Sequence, residues 1–572
     1  MVNPYATQRN LVPQPDSILQ VAYLDRLASE EIAKVDITTH ELEAKEAFRQ
    51  ELEAICQKAF AEKYTSDIAS IKLISFGSLA SGFATAGSDM DLAIVPEWND
   101  DSRAQEFVIG RDVPRLLERA VLNAKMGGRL LTRTRVPILK VCQTPTDELY
   151  NALSEERQKW DELPDNEQYP PPAALPGMAG SDGDMKSPTM NDSQNFPTLQ
   201  EAKAVGNTAR RAPAKNSPTS ANDDKGQASK LPSSEGTKDV ENVNEASKDR
   251  RPRGARAWLR EKKLGPLDFP KSGEVGIQCD INFENPLAIH NTQLLRCYSL
   301  TDLRVRPMVL FIKAWAKRRK INSAYSGTLS SYGWVLMVLH YLVNIANPPV
   351  CPNLQSSWRP ITNNAEDLQE MLKETMVGGW AVRFWRNEEE IANLTKTGHW
   401  PRNEQSVGSL LLGFFQYYAS TSQPNAYGQK PRCLYWANEV LSLRTPGGIR
   451  QKMEKGWTKA KTTYSNGKEV RHRYLFSIED PFELDHNVAR TVTHDGIVAI
   501  RDELRRAGRI LSQIGKSEPP EGGLFDEVVE HAPPPTPNKA EPQPEQSEAA
   551  GSLPAGGNPV IEVKSQAEES QK

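Results

Sequence analysis

The spacing of apolar residues divides the chain into an α/β part and a mostly helical part. Between residues 18 and 64, apolar residues recur every three to four positions, which is typical of the buried face of helices. Another helical pattern covers residues 107–123. Four short apolar runs bounded by turn residues predict strands at residues 71–76, 91–95, 135–141 and 275–281. From residue 291 to about residue 514 the pattern is mostly helical, apart from a basic, hairpin-like stretch at residues 447–477.

Composition changes sharply inside the predicted α/β part. Between residues 164 and 255 Pro, Ser, Asn, Lys, Glu and Ala prevail, so the segment cannot bury enough apolar surface to offset its conformational entropy. We predict a disordered insertion between two strands of one sheet, because closure entropy grows slowly with loop length. Disorder is also predicted at residues 1–17 and in the tail, residues 516–572. The low hydrophobic content of the 572-residue chain, 38%, agrees with these segments.

Charge, cysteines and hydropathy exclude several classes of protein. The formal net charge is −4, so any surface that binds nucleic acid must be local. The six cysteines form no C-x-x-C pair, which argues against a zinc finger or a disulfide framework and fits a reducing compartment. The first residues lack the basic-then-apolar pattern of a secretory signal. The longest apolar run, residues 332–346, falls short of the ~20 residues that cross a bilayer. We therefore expect no membrane partner and interpret this run as a buried core helix.

Three aspartates carry the candidate chemistry. Asp89 and Asp91 are two apart at a predicted strand, so their side chains share one face, and Asp280 lies in a later predicted strand. Buried carboxylates repel each other unless a cation neutralises them. A pair of divalent ions roughly 3.5–4 Å apart does so in phosphoryl transfer. Upstream, Gly77 permits close backbone approach, and Ser78 with nearby N–H groups can hold phosphate oxygens. A D-x-D pair alone is usually a pair of solvated residues, but the Gly-Ser turn and the third aspartate favour the metal site.

With these motifs in this order, residues 18–515 without the insertion resemble the DNA-polymerase-β-like nucleotidyltransferase superfamily. The similarity is to noncanonical poly(A) polymerases and terminal uridylyltransferases, particularly the yeast-type cytoplasmic uridylyltransferases. It implies an α+β, two-lobed fold. The palm, a mixed β-sheet with helices, would comprise residues 18–163 and 256–290. A mostly helical, poly(A)-polymerase-associated lobe would comprise residues 291–515.

The resemblance also implies a metal set and a reaction. Two Mg²⁺ (or Mn²⁺) ions would be held by Asp89 and Asp91, and Asp280 would hold the ion that activates the 3′-hydroxyl of RNA. Such a site performs template-independent addition of nucleotides to RNA 3′ ends. Phosphoryl transfer of this kind needs positioning and charge neutralisation rather than a covalent nucleophile.

Two lysines interrupt an otherwise apolar helical pattern. Lys313 and Lys317 are four apart and therefore lie on one helical face. By themselves they would be interpreted as side chains that extend to solvent. The resemblance implies instead that both contact the triphosphate of the bound nucleotide.

The resemblance assigns further residues to the nucleotide. It implies that Asn291 and Thr292 contact the ribose and the base edge, that Ser331 contacts a phosphate, and that Tyr332 stacks on the base. Such stacking contributes about 1–3 kcal/mol per base. Without the aspartates, these residues would be interpreted as helix caps and a core aromatic.

A motif near the end of the helical part resembles the nucleotide-recognition motif of the group. His486 lies where uridylyltransferases carry histidine, and a ring N–H can donate to uracil O4 but meets an amino donor on adenine or cytosine. One mispaired buried polar group costs roughly 1–3 kcal/mol, so we expect a preference for UTP rather than absolute selection. Asp480 and Glu483 would shape the pocket. Ala489 stands where glycine is expected, which leaves mixed addition of C and U, or a poly(A) polymerase, as alternatives.

The expected partners are an RNA 3′ end and a nucleoside triphosphate, with UTP favoured. No separate RNA-binding module is visible, so basic residues of the core should hold RNA phosphates. The candidates are Arg133, Arg135, Lys140, residues 250–263, and basic residues at 450–473, including Lys452 and Lys455. Apolar islands at residues 196–199 and 524–529 could dock RNA-decay factors or be chance hydrophobics. We expect a cytoplasmic monomer, with the nucleus as the open alternative. An inactive RNA-binding scaffold, or transfer to a protein or small molecule, are the other classes left open.

Overall fold

The computed structural model describes residues 15–64, 68–100, 109–132, 137–168, 265–270, 273–283, 285–360, 364–399, 402–420, 432–465, 468–517 and 519–528. The predictions for residues 1–14, for most of the insertion and for residues 529–572 lie outside these ranges. So do Arg133, Arg135, the island at residues 196–199 and the whole basic run at residues 250–263.

A five-stranded mixed sheet forms the centre of the palm. Its strands are β1 (Ile68–Phe76), β2 (Met90–Trp98), β3 (Gly127–Leu131), β4 (Ile138–Cys142) and β5 (Gln278–Asn282). They lie in the order β1-β2-β5-β4-β3, and of these neighbours only β2 and β5 are parallel. The strand that follows the predicted insertion therefore lies in the middle of the sheet, and the predicted mixed sheet is confirmed.

Helices cover the apolar face of this sheet. Helix α2 (Thr39–Lys63) packs on β1, and helix α4 (Val113–Asn123) packs on β3 and α2. Phe48, Leu52 and Phe60 of α2 join Leu117 and Val121 of α4 in one buried cluster with the strand residues. Two further helices, α3 (Gly77–Ala80) and α5 (Asp147–Asp161), and a short turn of helix, α6 (Asp165–Gln168), complete the described part of the palm.

The helical lobe has its own and larger core. It contains α7 (Pro286–Thr301), α8 (Val305–Arg318), α9 (Ser331–His340), α10 (Ala365–Glu374), α11 (Glu388–Lys396), α12 (Val407–Ala419) and α13 (His494–Gln513). Helix α9 continues as a π-helical turn, Tyr341–Ile345, and residues 334–339 of α9 are all buried, as predicted for a core helix. None of the described helices combines the length and apolar character that a bilayer span requires.

Short strand pairs lie between helices of this lobe. Strand β6 (Met376–Val377) pairs with β7 (Trp380–Ala381) between α10 and α11. Between α12 and α13, β8 (Glu439–Leu441) pairs with β9 (Ile449–Gln451), and β10 (Lys461–Ser465) pairs with β11 (Lys468–His472). Strands β9, β10 and β11 lie within residues 447–477, where the sequence predicts a hairpin-like stretch.

Two segments, helix α1 (Pro15–Val35) and residues 519–528, pack in the helical core, where the sequence does not predict them. The sequence predicts residues 18–35 as part of the palm, but helix α1 packs on α8 and α12, and its Leu24 and Ala28 are buried in the helical core. Residues 519–528, here called the clasp, belong to the tail for which the sequence predicts disorder. Leu524 of the clasp is fully buried in the helical core, and Phe525 packs edge-on against Phe311 with 5.1 Å between ring centroids. The apolar island at residue 524 therefore docks on its own chain.

The sequence also misses two palm elements. Strand β3 begins with Gly127-Gly128, a pair with low strand propensity, so its pattern does not indicate a strand. Glycine is needed at position 127, because a Cβ there would lie 2.4 Å from Cys142 Sγ. Helix α5 was not predicted either, although Thr146 caps it by accepting a hydrogen bond from Leu149 N at 3.3 Å.

Candidate active site

The three aspartates converge where β2 and β5 run side by side. Asp91 of β2 and Asp280 of β5 are direct partners in the parallel register, and Asp89 comes two residues before Asp91. Burial, then the Asp280 and Asp89 carboxylates, raise the pKa of Asp91 to about 7. Burial and Asp280 also raise the pKa of Asp89. The predicted juxtaposition of the three carboxylates is therefore present, and the structure leaves their negative charge only partly balanced.

Lysines supply the partial balance. Lys140 of β4 lies opposite Asp280 in the sheet and donates to its Oδ1 at 2.6 Å. Within the described part of the chain, no three His, Cys, Asp or Glu side chains are already arranged to hold a metal ion. Three carboxylates are nonetheless a hard oxygen donor set suited to Mg²⁺ or Mn²⁺. Burial and two neighbouring carboxylates raise the pKa of Asp91, and a cation bound beside it would relieve this repulsion.

The Gly77-Ser78 turn lies directly against the acidic cluster. Gly77 has a positive φ of 72°, and a Cβ at this position would lie 2.3 Å from Asp91 Oδ2. Position 77 therefore requires glycine, both for the backbone conformation and for the close approach of the Asp91 side chain. The Gly77 N–H donates to Thr292 Oγ1 at 2.9 Å, which ties this turn of the palm to α7 of the helical lobe. Thr292, predicted as a nucleotide contact, is buried, and its hydroxyl also donates to Ala288 O at 2.8 Å.

The two predicted lysines of α8 differ in their surroundings. Lys313 is 8% exposed and donates to Phe83 O at 2.5 Å, whereas Lys317, one turn later, is exposed. Burial, then the charges of Lys317 and Arg306, lower the pKa of Lys313 to about 8. Lys313 is thus not a lysine that reaches solvent. It lies close enough to Asp91 for its charge to lower that carboxyl's pKa, and Lys317 acts in the same way on Asp89.

Asp480 joins the other predicted nucleotide residues. Its Oδ2 accepts from the Tyr332 hydroxyl at 3.0 Å and from Asn291 Nδ2 at 3.4 Å. Its Oδ1 accepts from the backbone N–H groups of Phe482 and Glu483 at 2.9 and 3.0 Å. Burial and the neighbouring Asp480 raise the pKa of Tyr332 well above its usual value, so the phenol stays protonated and donates. Residues from α7, α9 and the loop before α13 therefore meet at one carboxylate.

His486 and Ser331 lie beside this group. The Nδ1 atom of His486 is 3.1 Å from a guanidinium nitrogen of Arg490. An arginine can only donate, so Nδ1 is the acceptor and the neutral ring carries its proton on Nε2. This is the tautomer that can donate to a ligand through Nε2. The hydroxyl of Ser331 donates to Asn322 Oδ1 at 3.2 Å in the first turn of α9.

The sequence does not indicate the supporting role of Lys45, and the structure places Lys452 and Lys455 differently from the prediction. Lys45 of α2, 4% exposed, donates to Glu41 and to Ser88 O, both at 2.6 Å, and so fixes the turn before Asp89. Lys45 lies on the apolar face of α2, and this position in the sequence pattern could have indicated that it is buried. Lys452 and Lys455, predicted to face RNA, are turned inward instead. Lys452 is 3% exposed and donates to three backbone carbonyl groups of residues 436, 474 and 475.

Comparison with known proteins agrees with this arrangement. The family model of the Cid1 family poly(A) polymerase matches residues 406–486. The model of the central palm domain of mitochondrial-like poly(A) RNA polymerase matches residues 24–151 and 268–300, leaving out the predicted insertion.

Curated relatives include both kinds of enzyme. The chain is 44% identical over 253 residues to the terminal uridylyltransferase cid1 of Schizosaccharomyces pombe, covering 44% of this chain and 54% of that one. It is 33% identical over 217 residues to the poly(A) RNA polymerase GLD2-B of Xenopus laevis, covering 38% and 34%. The aligned part thus spans about half of the first relative and a third of the second.

Solved structures of Cid1 have the same fold. A structure described for its RNA terminal uridylyl transferase activity superposes with a TM-score of 0.53 at 27% identity, covering 90% of this chain and all of that one. Another, in complex with the UTP analogue UMPNPP, gives a TM-score of 0.50 at 26% identity, covering 88% of this chain and 98% of that one. Residues 24–151 and 268–300 of the chain are thus similar to the palm domain of mitochondrial-like poly(A) RNA polymerase, and residues 406–486 are similar to the Cid1 family of poly(A) polymerases.

Proposed function

We propose that this protein is a template-independent RNA 3′-terminal nucleotidyltransferase that prefers UTP and marks RNA for turnover. The observation that carries the proposal is the register that places Asp91 beside Asp280, with Asp89 next to them and the lysines of α8 within electrostatic reach. An inactive scaffold would have no need for a costly group of buried like charges.

The acidic cluster is the proposed site of two Mg²⁺ ions. Asp89 and Asp91 would hold both, and Asp280 would hold the one nearer the RNA 3′-hydroxyl. When bound, the ions supply charge neutralisation at the triphosphate and lower the pKa of the attacking hydroxyl. Cid1 has been crystallised with MgGTP, which supports Mg²⁺ as the ion. The chain's own part is to hold the carboxylates on adjacent parallel strands, with Gly77 leaving room beside Asp91.

The helical lobe is proposed to bind the nucleotide. The ammonium groups of Lys313 and Lys317 would meet the triphosphate, Lys313 exchanging Phe83 O for a phosphate oxygen. Ser78 and Ser331 would add hydroxyl contacts to phosphate. Tyr332, whose ring is held by the bond from its hydroxyl to Asp480, would stack on the base.

The base is proposed to be selected by His486. Because Nδ1 accepts from Arg490, the proton of the neutral ring is on Nε2, and this donor would pair with O4 of uracil and oppose the amino group of adenine or cytosine. Asn291 would contact the ribose or base edge, and Asp480 with Glu483 would fix the pocket around it. One mispaired group of roughly 1–3 kcal/mol gives a preference of about fivefold to 150-fold.

RNA is proposed to bind through its phosphates to the core itself, so binding should weaken with salt. The complex of Cid1 with its short product ApU supports an RNA-like acceptor. A cytoplasmic location is proposed by analogy with the structure of a cytoplasmic RNA terminal U-transferase, which is 27% identical with a TM-score of 0.52 and covers 89% of this chain and 99% of that one.

The test is incubation of purified protein and Mg²⁺ with a single-stranded RNA and each nucleoside triphosphate separately, followed by sequencing of tails from an equal mixture of the four. We expect U-rich tails and no product from Asp89→Ala. If only ATP gave products, the protein would be a poly(A) polymerase instead. The similarity to the Xenopus poly(A) RNA polymerase supports this alternative. Mixed C and U tails would point to relaxed selection, and the absence of any product would overturn the proposal.

A further inference from the structure

Residues 480–487 form a loop that carries Asp480 and His486. Hydrogen bonds between backbone groups, and from the side chain of Asn487, close the base of this loop. Glu479 N donates to Leu441 O at 2.8 Å, and Asp480 N donates to His486 O at 3.2 Å. The buried Asn487 donates through Nδ2 to Phe476 O at 2.9 Å and accepts from Ile478 N at 3.0 Å. These bonds fix where the loop begins and ends, but they do not reach its outer half.

A buried lysine reaches the outer half from another element. Lys455, in the turn after β9, donates through Nζ to Leu484 O at 2.6 Å. Leu484 is two residues before His486. The same Nζ pairs with Glu479 Oε1 at 2.6 Å, and the two side chains are only 8% and 1% exposed. One ammonium group therefore links the base of the loop to its outer half.

The ion pair is completed by a serine. Ser442, fully buried, donates to the second oxygen of Glu479, Oε2, at 2.6 Å. Both carboxylate oxygens of Glu479 are thus engaged, and Lys455 is fixed between a carboxylate and a carbonyl group. A buried pair gains little stability over apolar residues of the same volume, and buried polar groups are in some proteins retained for conformational specificity. Here the group whose position is set is the 480–487 loop.

We infer that Lys455, held by Glu479 and Ser442, is a positioning residue for base selection, fixing the loop so that His486 meets the base edge in one geometry. The inference rests on the proposed function and deepens it. Lys455 does not contact the acidic cluster or the lysines of α8, so its loss should loosen base discrimination and leave transfer itself intact.

The test compares kcat and KM for UTP and ATP in wild type and Lys455→Met, using the full chain, one RNA and saturating Mg²⁺. We expect the ratio of kcat/KM for UTP over ATP to fall at least fivefold, through a higher KM for UTP, with kcat for UTP within threefold of wild type. Ser442→Ala, which removes one hydrogen bond from Glu479, should lower the ratio two- to threefold in the same direction. Lys396→Met makes the same chemical change at an exposed lysine of α11 and should leave the ratio unchanged.

The outcomes separate the two proposals. A wild type that transfers no nucleotide overturns the proposed function and this inference with it. A wild type that prefers UTP, with an unchanged ratio in folded Lys455→Met, overturns only the inference. So does an equal loss of kcat with both nucleotides, which would indicate a merely structural role. If Lys455→Met does not fold, Ser442→Ala decides: an unchanged ratio overturns the inference, and a lowered one supports it.

Discussion

The Nζ atom of Lys140 lies 2.6 Å from Oδ1 of Asp280, across the antiparallel pair of β4 and β5. Both side chains remain partly exposed, 29% and 26%, so the pair can open without unpacking the sheet. A divalent ion bound to Asp280 would compete with this ammonium group for the same oxygen. The lysine that the sequence suggested for RNA therefore has a second role, as the counter-charge of the acidic cluster.

Replacing Lys140 by Gln should therefore strengthen metal binding. A partly exposed ion pair contributes about 1 kcal/mol or less, so the Mg²⁺ concentration for half-maximal transfer should fall about two- to fivefold. The measurement is a Mg²⁺ titration of activity at saturating RNA and UTP. An unchanged Mg²⁺ requirement together with a raised KM for RNA would show that Lys140 binds RNA and does not compete with the ion.

The Asp91 carboxyl should make the metal-free protein less stable as the pH rises. Its pKa is raised in the folded protein to about 7 from 3.8, so between these values the folded state holds a proton that the unfolded state has lost. The free energy of unfolding should then decrease by about 1.4 kcal/mol per pH unit from this group across that window. Above pH 7 the loss is complete.

Asp91→Asn should consequently be more stable than wild type at pH 8 without metal, and inactive. The measurement is urea unfolding in EDTA at pH 5 and pH 8. The advantage of the variant should be smaller at pH 5 than at pH 8, because at pH 5 the wild type has lost only part of this contribution. Mg²⁺ should stabilise wild type but not the variant. Asp502→Asn, at an exposed aspartate of α13, controls for a general charge effect. A variant that is less stable than wild type at pH 8 would contradict the raised pKa.

His486→Asn should relax the preference for UTP. An amide can both donate and accept, so it can face the amino group of adenine, and it gives up the fixed donor that Arg490 enforces on the imidazole. We expect the ratio of kcat/KM for UTP over ATP to fall about tenfold or more, with little change in kcat for UTP. Asp485→Asn, the exposed neighbour, is the matched control. An unmoved ratio in His486→Asn would show that another residue selects the base.

The sequence predicts the acidic site well because its signal is local. The two-residue spacing of Asp89 and Asp91 on one strand dictates a shared face, and the apolar run around Asp280 predicts the strand that carries the third carboxylate. The glycine at position 77 also predicts that another group approaches the backbone closely, and in the structure this group is the Asp91 side chain. These features depend on a few neighbouring residues and not on distant partners.

Elements whose partners are distant in the chain were predicted less well. Lys452 and Lys455 look like a solvated basic run, and only the fold turns them toward backbone carbonyl groups and Glu479. The start of β3 carries two glycines whose use becomes visible only opposite Cys142. Residue 524 belongs to a polar, Pro-rich neighbourhood, so composition does not show that it docks on α1, α8 and α13.

Docking of the clasp should contribute directly to stability. Leu524 is fully buried, so Leu524→Ala should lower the free energy of unfolding by about 2–5 kcal/mol. The clasp also accepts hydrogen bonds at Phe525 O from Arg318, at 3.2 Å, and at Gly523 O from Arg506, at 2.8 Å. Arg318 is the residue after Lys317, so the clasp holds the end of the helix that bears both triphosphate lysines.

Loss of the clasp should therefore affect activity as well as folding. Urea unfolding of Leu524→Ala should give a lower midpoint, and activity should be lost at a lower temperature than in wild type. Leu303→Ala, at a leucine that is 88% exposed between α7 and α8, should change the free energy of unfolding by about 0.5 kcal/mol or less. Equal midpoints for Leu524→Ala and wild type would mean that residues 519–528 do not stay docked in solution. In that case the island at residue 524 would be available to a partner, as its sequence alone suggests.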